Sequence, residues 1–204
     1  MSEQNNFIIA ITGKSSSGKD AVARVLSSKG YKYVVSTTTR PMRSNEQNGV
    51  DYYFVNNSHF KGLMDNDKLV EYRSYNTINN GKPTVWHYGI ERTEIDLNSS
   101  NYVCVVDLIG LQDLKDEYGS SVISFYIDVD DEKRQMRALA RDRNFELAEW
   151  NRRLKDDEVK FKNVDKIIDK TVKNDDFDNC VNDIVKDIDY AKRLRTFYTQ
   201  YSSY

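Results

Sequence analysis

Two consecutive segments decide the fold: Phe7-Ile8-Ile9-Ala10-Ile11-Thr12 and Gly13-Lys14-Ser15-Ser16-Ser17-Gly18-Lys19-Asp20. The first segment is short, β-branched and almost continuously apolar, which is typical of a strand buried on both faces of a parallel sheet. The second segment is rich in glycine, and a helical pattern follows it as far as Leu26. A buried strand, a G-x-x-x-x-G-K loop and a helix in this order predict a phosphate-binding loop.

Four physical features of this loop favour phosphate binding over an ordinary turn between strand and helix. Its backbone N–H groups converge, and the N-terminus of the following helix adds positive potential. Lys19 supplies a point charge, while Gly13 and Gly18 permit backbone angles and close approaches that a Cβ would block. Asp20 stands where the motif usually carries the Ser or Thr that holds Mg²⁺. Its carboxylate can contact the metal directly, through water or not at all, so the metal geometry stays open.

Composition and charge restrict the class of protein. The chain has 204 residues with 30 basic and 32 acidic side chains and a formal charge of −2, so no overall basic field attracts nucleic acid or an anionic membrane. Cys104 and Cys180 form no C-x-x-C pair, which argues against a zinc site or a disulfide framework. The apolar run from Phe7 to Ile11 is too short for a signal peptide or a membrane span. We therefore expect a soluble, cytoplasmic monomer or homodimer without a nucleic-acid or membrane partner.

Further apolar runs predict the class of the fold. Tyr33–Val35, Tyr102–Val106 and Val122–Ile127 each read as a buried strand, and helical stretches separate them. Strands that alternate with helices predict an α/β fold with a parallel sheet and crossover helices. Residues 36–98 break this alternation and are rich in Asn, Tyr, Ser and Thr, so they predict a smaller inserted lobe. The predicted single domain, 1–204, is divided into a core (1–35 and 99–204), the inserted lobe (36–98) and a lid (about 130–157).

The inserted lobe carries a second group of anion-binding candidates. Arg40 and Arg43 lie three residues apart in a Pro-containing turn, and Tyr52 and Tyr88 supply hydroxyl groups. Planar guanidinium groups bind the oxygens of a dianionic phosphate in pairs. A buried carboxylate such as Glu71 can accept hydrogen bonds from two adjacent N–H donors on a base. Taken singly, the arginines can equally be surface charges and the tyrosines core aromatics.

Taken together, these segments resemble the guanylate kinase family, in order through most of the chain. The resemblance implies the P-loop nucleoside-triphosphate-hydrolase fold and transfer of the γ-phosphate of ATP, with Mg²⁺ as cofactor, to GMP or dGMP. It implies that residues 13–20 bind ATP, that Glu71 reads the guanine edge and that Ser36 lies beside the base. The residues that it assigns to the acceptor phosphate in the inserted lobe are Arg40, Arg43, Tyr52 and Tyr88.

Two shorter motifs extend the resemblance towards the C-terminus. Asp107 opens the segment Asp107-Leu-Ile-Gly110, which is similar to the D-x-x-G of the family and implies a role near the metal or the base. Asp20 and Asp107 are therefore the candidate metal ligands, although an Asp at the end of a strand is also a common helix N-cap. Asn174 lies in a segment similar to the one that places an Asn beside the donor adenine in the family.

An arginine-rich segment of about residues 130–157 predicts a helical lid. Arg134, Arg137 and Arg141 fall at i, i+3 and i+7, hence on one face of a helix. A gap in the match to the family leaves Arg152 as an alternative to Arg153, and a solvated helix with locally paired arginines is the alternative to a lid. The residues to which the resemblance assigns catalytic roles are Lys19, Arg137, Arg141 and Arg153.

Two departures from the family leave the acceptor base open. Ile90 stands where the family usually has Ser or Thr, and the segment from Asn76 to His87 is longer than usual. Loss of a hydrogen-bonding group from a base pocket weakens discrimination between bases. Three alternatives remain: a deoxynucleoside monophosphate kinase for another base, a non-catalytic guanylate kinase-like interaction module, and a GTPase. The last would need an N-K-x-D signature, which the chain lacks.

Overall fold

The computed structural model describes residues 6–79, 82–141 and 145–201, without the side chains of residues 78, 141 and 196–201. Within these residues, strands and helices alternate along much of the chain. The strands are β1 (Ile8–Thr12), β2 (Lys32–Tyr33), β3 (Thr37–Thr38), β4 (Tyr53–Phe54), β5 (Leu69–Asn79), β6 (Lys82–Glu91), β7 (Tyr102–Val105), β8 (Val122–Asp128) and β9 (Lys170–Lys173). The helices are α1 (Lys19–Ser28), α2 (Asn57–Asp65), α3 (Leu108–Tyr118), α4 (Asp131–Arg141), α5 (Leu147–Lys160) and α6 (Phe177–Tyr201).

The larger sheet is parallel, and β1 lies at its centre. Its strand order is β2-β7-β1-β8-β9. The side chains of Ile8 and Ala10 pack on one face of this sheet, and those of Ile9 and Ile11 pack on the other. Because both faces of β1 are buried, the strand is a continuous apolar run instead of an alternating one.

Helices cover both faces of the larger sheet. The helices α1 and α6 pack on the face of Ile9, through side chains such as Leu26 and Ile184. The helix α3 packs on the opposite face through Leu111 and Leu114. The predicted α/β fold, a parallel sheet flanked by helices, is therefore confirmed.

The strand that leads into the inserted lobe is shorter than the sequence predicts. Tyr33–Val35 reads as a strand, whereas β2 ends at Tyr33. The N–H of Val34 still donates to the carbonyl of Val103 at 2.9 Å. Pairing ends there because the chain leaves this sheet to enter β3 of the second one.

The second sheet has the strand order β4-β3-β6-β5, and its strands lie between residues 37 and 91. The strands β5 and β6 form a long antiparallel hairpin whose pairing continues out to Asn79 and Lys82. The unusual length of the segment from Asn76 to His87 is therefore explained by an extended hairpin. This sheet falls inside the predicted lobe of residues 36–98, and the boundaries of lobe and lid stay predictions.

One buried arginine fastens α4 and α5 to the phosphate-binding loop. Arg134 of α4 is 1% exposed, and its guanidinium lies 5.5 Å from the ring centre of Trp150. Its Nη1 donates to the carbonyl of Ser15 at 2.9 Å and to Oδ2 of Asp157 at 3.0 Å, while its Nη2 donates to Asp131 at 2.6 Å. Asp157, on α5, also accepts the N–H of Ser15 at 2.9 Å. We call Arg134, Asp157 and Ser15 the clamp.

Asp157→Ala is expected to lower the free energy of unfolding by about 3 kcal/mol, because it leaves the guanidinium of Arg134 buried with part of its hydrogen bonding lost. The matched control is Asp156→Ala on the same helix. Asp156 pairs with Arg152 at 2.6 Å on an exposed surface, and loss of such a pair costs less than about 1 kcal/mol. Urea unfolding measures both values. Equal losses in the two variants would contradict the structural role of the clamp.

Candidate active site

The phosphate-binding loop connects the end of β1 to the start of α1 and contains two close backbone approaches. The chain adopts left-handed conformations at Ser16 (φ 61°) and Gly18 (φ 91°). A Cβ on Gly18 would lie 2.7 Å from Nδ2 of Asn174, and a Cβ on Gly13 would lie 2.9 Å from a backbone carbonyl oxygen of β8. The close approaches predicted for these two glycines are therefore present, and side chains there would displace the loop.

A cavity of about 430 Å³ opens on this loop. Lys19 lies at the start of α1, and Arg137 of α4 and Arg153 of α5 line the same cavity. A helix N-terminus, a lysine and two arginines together favour an anion of high charge. The exposed Asp20 is the one carboxylate in the lining. The lining residues are Ser15, Ser16, Gly18, Lys19, Asp20, Ala21, Arg137 and Arg153.

Arg137 and Asn174 hold the second half of the loop. Arg137 donates to the carbonyl of Ser17 at 3.2 Å and to the carbonyl of Asn174 at 2.7 Å. The side-chain amide of Asn174 donates to the same Ser17 carbonyl at 2.8 Å. Its Oδ1 is buried and has no hydrogen-bond partner among the residues that the structure describes. Asn174 therefore contacts the loop itself, and its contact with a donor base stays a prediction.

Of the two adjacent arginines on α5, Arg153 borders the cavity and Arg152 does not. Nε of Arg153 donates to Glu149 at 2.8 Å. Arg152 instead pairs with Glu149 and Asp156 on the exposed side of the helix. Hydrogen bonds from both arginines lower the pKa of Glu149 to about 2, so this carboxylate holds them over a wide pH range. The side chain of Arg141, the third predicted lid arginine, lies outside the described part of the chain.

The two arginines of the Pro-containing turn have different environments. Arg40 is 5% exposed, and it donates to Glu46 at 2.6 Å and to the carbonyl of Pro41 at 2.8 Å. Arg43 is exposed, and its backbone N–H donates to the second carboxylate oxygen of Glu46 at 2.8 Å. Glu46 thus fixes the turn, with Arg40 inside the lobe and Arg43 presented to solvent.

Aromatic rings join Arg40 to the strands of the lobe. The guanidinium of Arg40 lies 5.4 Å from the ring centre of Tyr52. The rings of Tyr52 and Tyr88 pack edge to face with their centres 5.9 Å apart. Burial raises the pKa of Tyr52 to about 12, so its hydroxyl remains a hydrogen-bond donor in neutral solution. Three of the residues predicted to bind an acceptor phosphate therefore form one cluster.

Glu71 is buried beside the start of α3, and no described residue forms a hydrogen bond with its carboxyl group. A Cβ on Gly110 would lie 2.9 Å from its Oε2, so the glycine leaves room for this group. Burial raises the pKa of Glu71 to about 8; Arg73 opposes this shift, and the carboxylates of Asp107 and Asp113 add to it. Glu71 is therefore mostly protonated at neutral pH.

Asp107 caps α3 and faces the inserted lobe. Its Oδ1 accepts the N–H of Gly110 at 2.8 Å, and its Oδ2 accepts the hydroxyl of Tyr75 at 2.7 Å. Nε of Arg73 lies 3.4 Å from Oδ1. The helix-cap alternative is thus realised, and it places the carboxylate next to Glu71. We call the region around Glu71 and Asp107 the base end of the lobe, after the role predicted for Glu71. The metal roles of Asp107 and Asp20 stay predictions.

Two further positions bear on the predicted base site. Ile90 is fully buried, and the register of β5 and β6 sets it directly opposite Glu71. Its hydrocarbon packs in the same core cluster as Val70, and this position supplies no hydroxyl. Ser36 precedes β3, and its carbonyl accepts the N–H of Tyr53 at 2.9 Å. The role of the Ser36 side chain stays a prediction.

Arg73 and Tyr75 contact Asp107, and the sequence analysis missed both. The available signal is the spacing of two residues from Glu71 to Arg73 and from Arg73 to Tyr75, which places all three side chains on one face of a strand. The ammonium group of Lys160, at the end of α5, lies 4.7 Å from the ring centre of Tyr75. The base end of the lobe is therefore more polar and more charged than the predicted residues indicate.

The part of the chain that the structure describes holds no cluster of three or more His, Cys, Asp or Glu side chains that could bind a metal ion. No helix in that part is both long and apolar enough to cross a membrane.

Comparisons with known proteins agree with this geometry. The family model described as guanylate kinase matches residues 5–190. The guanylate kinase of Mycoplasma pneumoniae is 31% identical over 126 residues, which cover 59% of this chain and 49% of that protein. The guanylate kinase of Mycoplasma genitalium is 24% identical over 183 residues, which cover 87% of this chain and 72% of that protein. The chain thus spans about half the length of the first relative.

The fold also matches a solved structure. The crystal structure of guanylate kinase from Anaplasma phagocytophilum superimposes with a TM-score of 0.70 at 21% identity, covering 96% of this chain and 95% of that one. At this level of identity the likeness supports the fold alone. Because the family model extends from residue 5 to residue 190, over most of the sequence, the chain belongs to the guanylate kinase family.

Proposed function

We propose that the chain is an ATP-dependent nucleoside monophosphate kinase that transfers the γ-phosphate of ATP to GMP or dGMP. The observation that carries this proposal is the presence of two separate groups of candidate anion-binding residues. One is the cavity on the phosphate-binding loop, and the other is the cluster of Arg40, Tyr52 and Tyr88 in the lobe. Transfer between two nucleotides needs both groups, whereas hydrolysis of one nucleotide needs a single phosphate site. Family membership supports the same reaction.

In this proposal the phosphate-binding loop takes the donor. The N–H groups at the start of α1 and the ammonium of Lys19 bind the β- and γ-phosphates of ATP. Arg137 and Arg153 stabilise the charge on the transferred group from the walls of the cavity. We assign Arg141 to the same task from the family resemblance, and Asn174 to the surroundings of the adenine.

Mg²⁺ fits this cavity as a companion of ATP. The ion prefers oxygen ligands and is usually held by one or two carboxylates together with substrate phosphates and water. Asp20 supplies a carboxylate in the lining of the cavity. When bound, the ion would neutralise charge on the β- and γ-phosphates. Asp107 suits this role less well, because its oxygens already accept hydrogen bonds from Gly110 and Tyr75.

The inserted lobe takes the acceptor. We assign the phosphate of the monophosphate to the arginine and tyrosine cluster of the lobe, extended by the exposed Arg43. The carboxyl group of Glu71 accepts N–H donors of the base, with Asp107 and Ser36 beside it. Phosphoryl transfer then requires mainly that donor and acceptor are held in line, with cations at the equatorial oxygens. Enclosure of both nucleotides excludes water, which would otherwise accept the phosphoryl group.

The structure and the family membership support the three alternative functions to different degrees. A non-catalytic interaction module has no use for Lys19, Arg137 and Arg153 around one cavity. A GTPase loses support through membership of the guanylate kinase family. A monophosphate kinase for another base keeps support from Ile90, which supplies hydrocarbon next to Glu71.

A coupled assay of ADP release tests the proposal. Purified protein is incubated with ATP, Mg²⁺ and each of the common ribo- and deoxyribonucleoside monophosphates. We expect ADP release that depends on the acceptor and is fastest with GMP or dGMP. Absence of acceptor-dependent release would contradict the kinase assignment, and a higher rate with another base would select the alternative.

Lys19→Met is expected to lower kcat by about 10²- to 10³-fold, because it removes a cation that stabilises charge on the phosphates. The matched control is Lys29→Met at the exposed C-terminal end of the same helix, which should keep wild-type turnover. Circular dichroism verifies the fold of both variants. Wild-type turnover in Lys19→Met would count against the assignment of the donor site.

Arg43→Ala is expected to raise the KM of the acceptor and lower kcat, reducing kcat/KM for GMP by about 10- to 100-fold through loss of a charged hydrogen bond. The KM of ATP should not change, since the donor binds in the other site. Lys61→Ala, which removes an exposed cation of α2 paired with Asp65 at 2.6 Å, is the control. Equal weakening of both substrates by Arg43→Ala would show that the two sites are not separate.

The KM of GMP is expected to fall about tenfold between pH 7 and pH 9, because a group with a pKa of about 8 is mostly protonated at the lower pH and mostly ionised at the higher one. The ionised carboxylate of Glu71 accepts two N–H donors of guanine, so binding below pH 8 releases a proton. Glu71→Gln should raise the KM and flatten its pH profile. An unchanged slope in that variant would assign the pH dependence to another group.

A further inference from the structure

Three polar side chains alternate along one face of β5. Glu71, Arg73 and Tyr75 are spaced by two residues, so they point to the same side of the sheet. Each of them interacts with Asp107 at the start of α3: Tyr75 by a hydrogen bond, Arg73 by an ion pair and Glu71 through its charge. The sheet and the helix together form the base end of the proposed acceptor site.

One nitrogen of the Arg73 guanidinium donates no hydrogen bond to the described part of the protein. Its Nη2 donates to Asp113 at 2.7 Å, and its Nη1 donates to the carbonyl of Tyr72. Its Nε is buried and has no hydrogen-bond acceptor among the described residues, although it lies 3.4 Å from Oδ1 of Asp107. A buried N–H without an acceptor is uncommon and costs free energy, so an acceptor that a bound molecule brings to this position would stabilise the site.

The two neighbouring carboxyl groups, of Asp107 and Glu71, differ in the hydrogen bonds that they accept. Asp107 already accepts from Gly110 and Tyr75, and it lies within ion-pair distance of Arg73. Glu71 accepts from none of the described residues. A nitrogen of Arg73 without an acceptor and the carboxyl group of Glu71 therefore lie two residues apart on one face of the same strand.

Base edges differ in whether they match such a pair. Guanine presents a carbonyl oxygen, O6, beside a ring N–H, whereas adenine and cytosine carry an amino group in place of this carbonyl. A protonated Glu71 can pair with either kind of edge, because a carboxylic acid both donates and accepts. A guanidinium N–H can only donate. Discrimination between the two kinds of base therefore depends on the arginine more than on the glutamate.

The geometry points to Arg73 as a residue that determines base specificity: its Nε–H donates to the exocyclic carbonyl oxygen of the acceptor base while Glu71 accepts from the adjacent ring N–H. The site then takes bases with a carbonyl next to a ring N–H, such as guanine, and rejects adenine and cytosine. This inference rests on the proposed function and names a residue that sets the base specificity of that site. It also supplies a donor where Ile90, opposite Glu71, has none.

A purely structural role for Arg73 is the rival explanation. In that case the guanidinium only holds Asp107 and Asp113 in place, and its loss disturbs the whole lobe. Such a disturbance lowers the affinity for every acceptor by a similar factor. A specific donor to the carbonyl oxygen affects only the acceptors that have this oxygen.

The test compares wild type with Arg73→Lys, using GMP and the monophosphate of 2,6-diaminopurine, which has an amino group in place of O6. Lysine keeps a cation for Asp107 and Asp113 but has no donor at the Nε position. We expect kcat/KM for GMP to fall by about 10- to 100-fold in Arg73→Lys, mainly through KM, while the value for the diaminopurine nucleotide stays within about twofold. The preference of the wild type for GMP over this analogue should therefore shrink by the same factor.

Asp113→Asn is the matched control, because it removes the charge partner of Nη2 and leaves Nε in place. Its preference for GMP over the diaminopurine nucleotide should equal that of the wild type. The inference is overturned if Arg73→Lys leaves the ratio of kcat/KM for GMP to kcat/KM for the analogue unchanged, whether or not both values fall. It is also overturned if Asp113→Asn reduces this ratio as much as Arg73→Lys does.

Calorimetric binding of both nucleotides in the absence of ATP separates this inference from the proposed function. If the wild type releases no ADP with any acceptor, the kinase assignment is removed. If Arg73→Lys nevertheless loses binding of GMP and keeps binding of the analogue, the role of Arg73 is supported. If the wild type releases ADP in the presence of an acceptor but Arg73→Lys binds GMP and the analogue in the same ratio as the wild type, the kinase assignment stands and the role of Arg73 is overturned.

Discussion

The arrangement of the candidate active site depends on one buried guanidinium. Arg134 joins the carbonyl of Ser15 to Asp157, which in turn accepts the N–H of Ser15. Removing such charges from water costs several kcal/mol, which the hydrogen bonds from Nη1 and Nη2 of Arg134 help to offset. The clamp therefore favours one arrangement of the loop, α4 and α5. Because Arg137 lies one turn after Arg134 and Arg153 lies one turn before Asp157, the same contacts direct both arginines to the cavity.

The parts of the fold that follow local rules could be predicted from the sequence. A strand buried on both faces must be apolar along its whole length, and a loop that packs against β8 and Asn174 must have glycine at its two closest approaches. The clamp does not follow such a rule. Arg134 and Asp157 are 23 residues apart in a segment dense in charge, where arginine and aspartate are usually exposed. Their burial depends on Trp150 and on the loop, which meet them only in the folded chain.

The candidate site shows the same division between single residues and their partners. Glu71 and Asp107 could be picked out from the segments that contain them, but the side chain that joins their surroundings, Arg73, could not. Its contact with Asp107 depends on the register of the hairpin and on how that hairpin lies against α3. A period of two residues in a strand predicts a common face, and it does not predict what the face meets. Ile90 is the converse case, since its sequence position indicates a missing hydroxyl and the fold shows what stands there instead: a fully buried hydrocarbon side chain opposite Glu71.

The charges at the base end of the lobe must balance, and this requirement restricts what can bind there. Two carboxyl groups that interact in a buried site are costly to ionise together. Burial raises the pKa of Glu71 to about 8, so this carboxyl group keeps its proton at neutral pH. Arg73 and the hydroxyl of Tyr75 stabilise the negative charge of Asp107. A protonated carboxyl group adapts to donors or acceptors on a base, so it selects weakly. A buried guanidinium N–H cannot adapt, and a base that offers it no acceptor leaves it unpaired. Selectivity in such a pocket therefore arises from the group with the fewest hydrogen-bonding options.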